Sequence, residues 1–170
     1  MTLLDSPLIT KIRRNHGLEH ATIHLLSRRN NNLSLVGRSD WSGFTLYGSV
    51  DTAEVRHAAI EALQRLRRGE SDLAVHPRCG TVLATTGLFT GLAAFLAVSL
   101  DGAAGRRFRW GSIPAVVLAA TAAAILAQPI GMLFQKRVTV SGVPGNLEIK
   151  DITVQTTAAG IVTHRVNTTQ

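Results

Sequence analysis

Cys79 to Leu100 reads CGTVLATTGLFTGLAAFLAVSL, and Trp110 to Gln135 reads WGSIPAVVLAATAAAILAQPIGMLFQ. Neither stretch holds an Asp, Glu, Lys or Arg. A hydrocarbon core about 30 Å thick is crossed by roughly 20 apolar helical residues, so each stretch is long enough to span. A chain of 170 residues has too little other apolar surface to wrap two such helices in a soluble core, which favours the bilayer. The linker, Asp101 to Arg109, is short enough to fold the two spans into an antiparallel hairpin. Gly87 and Gly91 form a Gly-x-x-x-Gly pair, and Ala84, Ala93, Ala94 and Ala97 add small positions suited to packing on the second span, on other membrane proteins or on a second copy. Gln128-Pro129 interrupts the second span near its end and predicts a kink.

The charges lie outside these stretches. Arg65, Arg67, Arg68 and Arg78 precede the first span and Lys136 and Arg137 follow the second, against Arg106, Arg107 and Arg109 in the linker. That balance favours a multi-pass protein of the inner (plasma) membrane with both termini cytoplasmic. The N-terminal Met1-Thr2-Leu3-Leu4-Asp5-Ser6-Pro7 lacks the basic, apolar and small-residue regions of a removable signal peptide. A single cysteine, Cys79, allows no intramolecular disulfide, in keeping with a cytoplasmic soluble part. The net charge of +7 does not point to nucleic acid, because the basic residues do not alternate with aromatic ones. Lipid headgroups are the expected counterpart.

Before the spans, Ser6-Pro7 opens a helix that runs to about Arg29, stopped by Asn30-Asn31-Asn32. Leu33 to Gly48 reads as a hairpin with runs Leu33–Val36 and Phe44–Tyr47. Asp51, with Glu54 three residues on, caps a second helix whose apolar stripe is Val55, Ala59, Ala62, Leu63 and Leu66, ending at Arg65 to Gly69. Leu73 to Val75 is expected as a short strand. After the spans, Val138–Val140, Ile149–Val154 and Ile161–Val166 alternate as strands that can join the hairpin in one sheet. The fold class is therefore α+β: a two-helix transmembrane hairpin with a small cytoplasmic α/β portion. Its segments are a helix/hairpin/helix region over 1–78, the transmembrane hairpin over 79–135 with spans at about 79–100 and 111–135, and a β-rich tail over 136–170.

Chemistry concentrates in His16-Gly17-Leu18-Glu19-His20-Ala21-Thr22-Ile23-His24. His16 and His20, four apart on a helix, share one face about one turn apart and can hold one metal ion. His24 lies roughly 12 Å from His16 along the axis, so one ion uses His16 with His20 or His20 with His24. His16 to His20 also matches His-x-x-Glu-His, in which two histidines bind zinc and the glutamate activates water. Gly17 weakens the helix by about 1 kcal/mol relative to alanine and suggests a close approach there. His76-Pro77-Arg78-Cys79 supplies further nitrogen and sulfur donors of the kind zinc takes. The bland alternatives are polar histidines near the headgroups and a buried cysteine beside a membrane helix. His57 and His164 read as solvent-facing, and Trp41 and Trp110 as interfacial.

Taken together, His16-Gly17-Leu18-Glu19-His20-Ala21-Thr22-Ile23 and His76-Pro77-Arg78-Cys79-Gly80-Thr81 resemble the two motifs of the YqhQ-like family of bacterial membrane proteins, described as predicted metal-dependent enzymes. The resemblance covers roughly Asn15 to Leu100 and departs at Ala21, where that family usually has lysine; a related family of small two-span proteins fits the shorter chain equally well. It implies a membrane location and a metal site at His16, Glu19, His20, His76 and Cys79. One expectation is a zinc-dependent, peptidase-like hydrolase with His16, His20 and Cys79 as ligands, His76 ligating or orienting, and Glu19 as the catalytic general base. The alternative is a membrane scaffold, assembly factor or accessory subunit with a closed structural zinc site. Transport is disfavoured, because the spans hold no ionisable relay.

Overall fold

The computed structural model describes residues 6–102, 110–156 and 160–170. The expected linker arginines Arg106, Arg107 and Arg109 and the extreme N-terminus lie outside the described residues. The chain divides into two units, Met1–His76 with Lys136–Gln170, and Pro77–Gln135.

The first unit is a two-helix layer on an antiparallel sheet. Helix α1 runs Pro7–Arg29, with Pro7 in its first turn; Ser6 stands at the N-cap position but its side chain does not bond that turn. Strands β1 (Val36–Asp40) and β2 (Gly43–Tyr47) form the hairpin, and helix α2 runs Thr52–Arg67. Asp51 caps α2 as the sequence requires, its carboxylate accepting from the Ala53 N–H at 2.7 Å. After the second unit come β3 (Glu148–Thr156) and β4 (Val162–Thr169). The strand order is β1-β2-β4-β3, so the tail does join the hairpin in one sheet.

Register decides which residues face the helices. Phe44 pairs with Val166, Leu46 with His164, and Ile152 with Val166, so these side chains share one face. That face packs with Leu18, Leu25 and Leu26 of α1 and Val55, Ala59 and Leu66 of α2 into a single core. The opposite face carries a polar lattice. There the Arg165 guanidinium donates to both Asp40 oxygens, at 2.7 and 2.8 Å, and to Thr45 and Ser42.

Four local expectations are corrected. The first strand of the hairpin begins at Val36 rather than occupying Leu33–Val36. The Asp40 carboxylate accepts from the backbone N–H and hydroxyl of Ser42, which closes a tight turn at Trp41-Ser42 and fixes the pairing from there. Leu73–Val75 is not a strand: Ser71–Ala74 is a 3₁₀ turn whose backbone pairs locally while Leu73 and Ala74 sink into the core. Val138–Val140 is not a strand either, since Gln135–Thr139 form a π-helical turn. Arg13 holds this turn and the residue after it, donating to the carbonyls of Arg137 (2.9 Å) and Val140 (3.2 Å). His164, expected at the surface, is 1% exposed because its register places it beside Leu46 on the core face; His57 is exposed as expected.

The second unit holds helices α3 (Gly80–Gly102) and α4 (Ile113–Phe134), which pack on each other. Both are long and apolar enough to cross a membrane, and only 6% and 11% of their most apolar windows are buried, unlike core helices of a soluble protein. Pro129 sits inside α4. The close approach between the helices is not at Gly87 and Gly91, where an added Cβ would meet open space. It is at Gly131, where a Cβ would come within 3.1 Å of Val82 Cα and 3.4 Å of the Thr85 side chain. The glycine at the helix contact is thus Gly131, which the Gly-x-x-x-Gly pattern does not include.

Candidate metal centre

The helical spacing of His16 and His20 brings their rings to a centroid separation of 4.3 Å, edge to face. Each ring is tied at Nδ1 to a main-chain carbonyl: His16 to Thr139 O at 3.0 Å, His20 to Ala74 O at 2.7 Å. A carbonyl oxygen only accepts, so both Nδ1 atoms must carry the proton, and in the neutral rings the lone pairs fall on Nε2. This is how metal-binding histidines are oriented in general. One ring nitrogen from each lies within 4.8 Å of the other, near enough for one ion. His76 stands beside them, its ring 6.0 Å from that of His20. His20 is buried and His16 and His76 are half-buried, so the cluster is shielded but reachable.

Three further features shape the cluster. Gly17 lies under the returning chain: a Cβ there would overlap the Ser141 carbonyl, so the close approach expected at this glycine is present. Glu19 is 4% exposed and lies against β1. Its carboxylate accepts from the Ser39 hydroxyl, and a Cβ on Gly37 would overlap it. Gly37 and Ser39, two apart, point to the same face of β1, one making room for the carboxylate and the other holding it. The strand is itself fixed to α1 by Asn15, whose amide donates to the Asp40 carbonyl at 2.8 Å. Cys79 belongs to the second unit, immediately before α3; it is buried, and the Thr81 N–H points to its sulfur at 3.4 Å.

His24 is outside this group. Its pKa is lowered by burial first and then by the guanidinium charges of Arg28 and Arg65, surroundings that also repel a cation. The pair assembled on α1 is His16 with His20. Sequence reasoning missed Gly37, Ser39, Ala74 and Thr139. The last two act through main-chain oxygens, which carry no side-chain signal, and the first two take their meaning only from the passage of α1 over β1.

Comparison with known proteins adds a family and no activity. Residues 11–152 match a domain of unknown function, DUF6391, and not the YqhQ-like family by name. An uncharacterized protein of Picosynechococcus sp. strain PCC 7002 is 37% identical over 166 residues, covering 91% of this chain and 78% of the relative. No solved structure matches. The matched segment takes in α1 beyond its first turn, the hairpin, α2, both long apolar helices and the first half of β3, and on that extent the chain belongs to the DUF6391 family.

Proposed function

We propose that this chain is an integral membrane protein that holds a zinc ion at its cytoplasmic face and uses it in a hydrolytic, peptidase-like reaction. The carrying observation is the orientation of His16 and His20: both Nδ1 atoms bond main-chain carbonyls, which directs the ring lone pairs to Nε2, and one ring nitrogen of each lies within 4.8 Å of the other. His76 is the near third group, and Cys79 follows it by three residues in the chain, within reach as a thiolate ligand. Imidazoles and one thiolate are a donor set that suits zinc. A bound ion would supply an acidified water; the chain's own part is to orient the imidazoles and present Glu19 as the general base next to His20. Two long, apolar, largely unburied helices support the bilayer, and the flanking charges support cytoplasmic termini.

A second reading has an observation of its own. Glu19 is buried against β1 and held by Ser39, which also suits a carboxylate that only braces α1 beside a structural zinc in a scaffold or accessory subunit. Metal content of the detergent-purified protein, with His20→Ala and Cys79→Ala alongside, tests the site. About one zinc per chain, lost in both variants, is the expected result. No metal in folded wild type supplied with zinc sinks both readings. Loss of peptidase activity in a zinc-loaded Glu19→Gln protein selects the first, and an inert substitution selects the second.

A further inference from the structure

Chain connectivity gives the two histidine-bonded carbonyls a significance beyond orienting ligands. The chain leaves the first unit at His76 and re-enters it at Lys136. Ala74, which accepts from His20, is two residues before the exit; Thr139, which accepts from His16, is three residues after the return. The two crossing segments also touch each other. A Cβ on Gly142 would lie 2.6 Å from Ser71 Cβ, and Lys136 pairs with Asp72 at 3.3 Å. The return segment is bonded to α1 once more by the Ser141 N–H to the Arg13 carbonyl, at 2.9 Å.

We infer that metal binding at His16 and His20 is a latch that fixes both chain crossings, Ser71–His76 and Lys136–Gly142, against α1. This rests on the metal reading proposed above and assigns it a regulatory consequence. An ion on Nε2 withdraws charge from the ring and makes the Nδ1–H a stronger donor, so the bonds to Ala74 O and Thr139 O tighten together. Linkage makes the effect reciprocal: whatever loosens the crossings lowers metal affinity by the same factor. The state of the site is thereby communicated to the two segments from which the apolar helices begin and end.

The test is hydrogen exchange of the full chain in detergent, with zinc and after chelation, read at peptides covering 71–76 and 136–142. Zinc is expected to slow exchange in both by about 5- to 150-fold, the usual range of site-to-site coupling, with little change in β3 and β4. Gly142→Ala, which touches neither histidine, is expected to speed exchange in both segments and to weaken zinc binding within the same range. Should that variant not fold, the wild-type comparison stands without it. Zinc that binds, and is lost in His20→Ala, without altering exchange in either segment overturns the latch while leaving the metal site intact. Absence of zinc binding overturns the metal reading and the latch together.

Discussion

At the scale of single residues, two positions carry consequences out of proportion to their size. Gly37 has no side chain where Glu19 lies, so Gly37→Ala must displace either β1 or the carboxylate. A loss of about 1–3 kcal/mol is expected from denaturant unfolding, the usual cost of overpacking a closed site. Ser39→Ala removes a hydrogen bond to a buried carboxylate and should cost a comparable amount, about 1.5–3 kcal/mol. His164 is the second case. Burial lowers its pKa below 6.5, outweighing the opposing pull of the Val50 backbone and the Asp51 carboxylate. The unfolded chain therefore takes up a proton first as pH falls. The stability tied to this residue is complete above pH 6.5 and is lost as pH drops below that value. Unfolding midpoints at pH 7.5 and 5.5 should differ in that direction, and His164→Leu should flatten the difference.

At the scale of elements, the sheet is held on two faces by different forces. On the outer face, Arg165 keeps the Asp40 carboxyl down at about 2, first through their hydrogen bond, with burial opposing and Ser42 assisting. This contribution is present above the ordinary value of 3.8 and is lost as pH falls toward 2. Asp40 is partly exposed, so solvent screening limits the effect: Asp40→Asn should cost about 1 kcal/mol at neutral pH and weaken the Trp41-Ser42 turn as well. In the second unit, the close contact at Gly131 predicts that Gly131→Val disrupts the pairing of α3 with α4, whereas Gly91→Val leaves it intact. Proximity cross-linking between cysteines placed on the two helices checks both. The Ser6-Pro7 start and triple-asparagine stop of α1, the Asp51 cap of α2 and the long apolar runs of α3 and α4 made these helices readable from sequence. The short pieces next to the helical hairpin were not: Leu73–Val75 is a run of three apolar residues and Val138–Val140 alternates like a strand, yet the first lies at the end of a locally bonded 3₁₀ turn and the second at the end of a π-helical turn.

At the scale of the whole molecule, the reading as a two-span membrane protein predicts that the chain stays in the membrane pellet after alkaline carbonate washing. A fluorescent protein fused at Gln170 should mature, as expected of a cytoplasmic terminus. Release by carbonate would overturn the reading of α3 and α4 as membrane spans. What the sequence by itself determined is whatever depends on local order: two long apolar helices, their charged flanks, the Asp51 cap, and the His16/His20 pair one turn apart. These follow from helical periodicity and from the hydrophobic effect acting on contiguous residues. Only the tertiary structure decided the β1-β2-β4-β3 order, the burial of His164, the bed of Gly37 and Ser39 under Glu19, and the choice of Gly131 over Gly87 and Gly91. It also decided which atoms hold His16 and His20: main-chain oxygens 123 and 54 residues away, identical in every residue and therefore silent in the sequence until folding brings them to the rings.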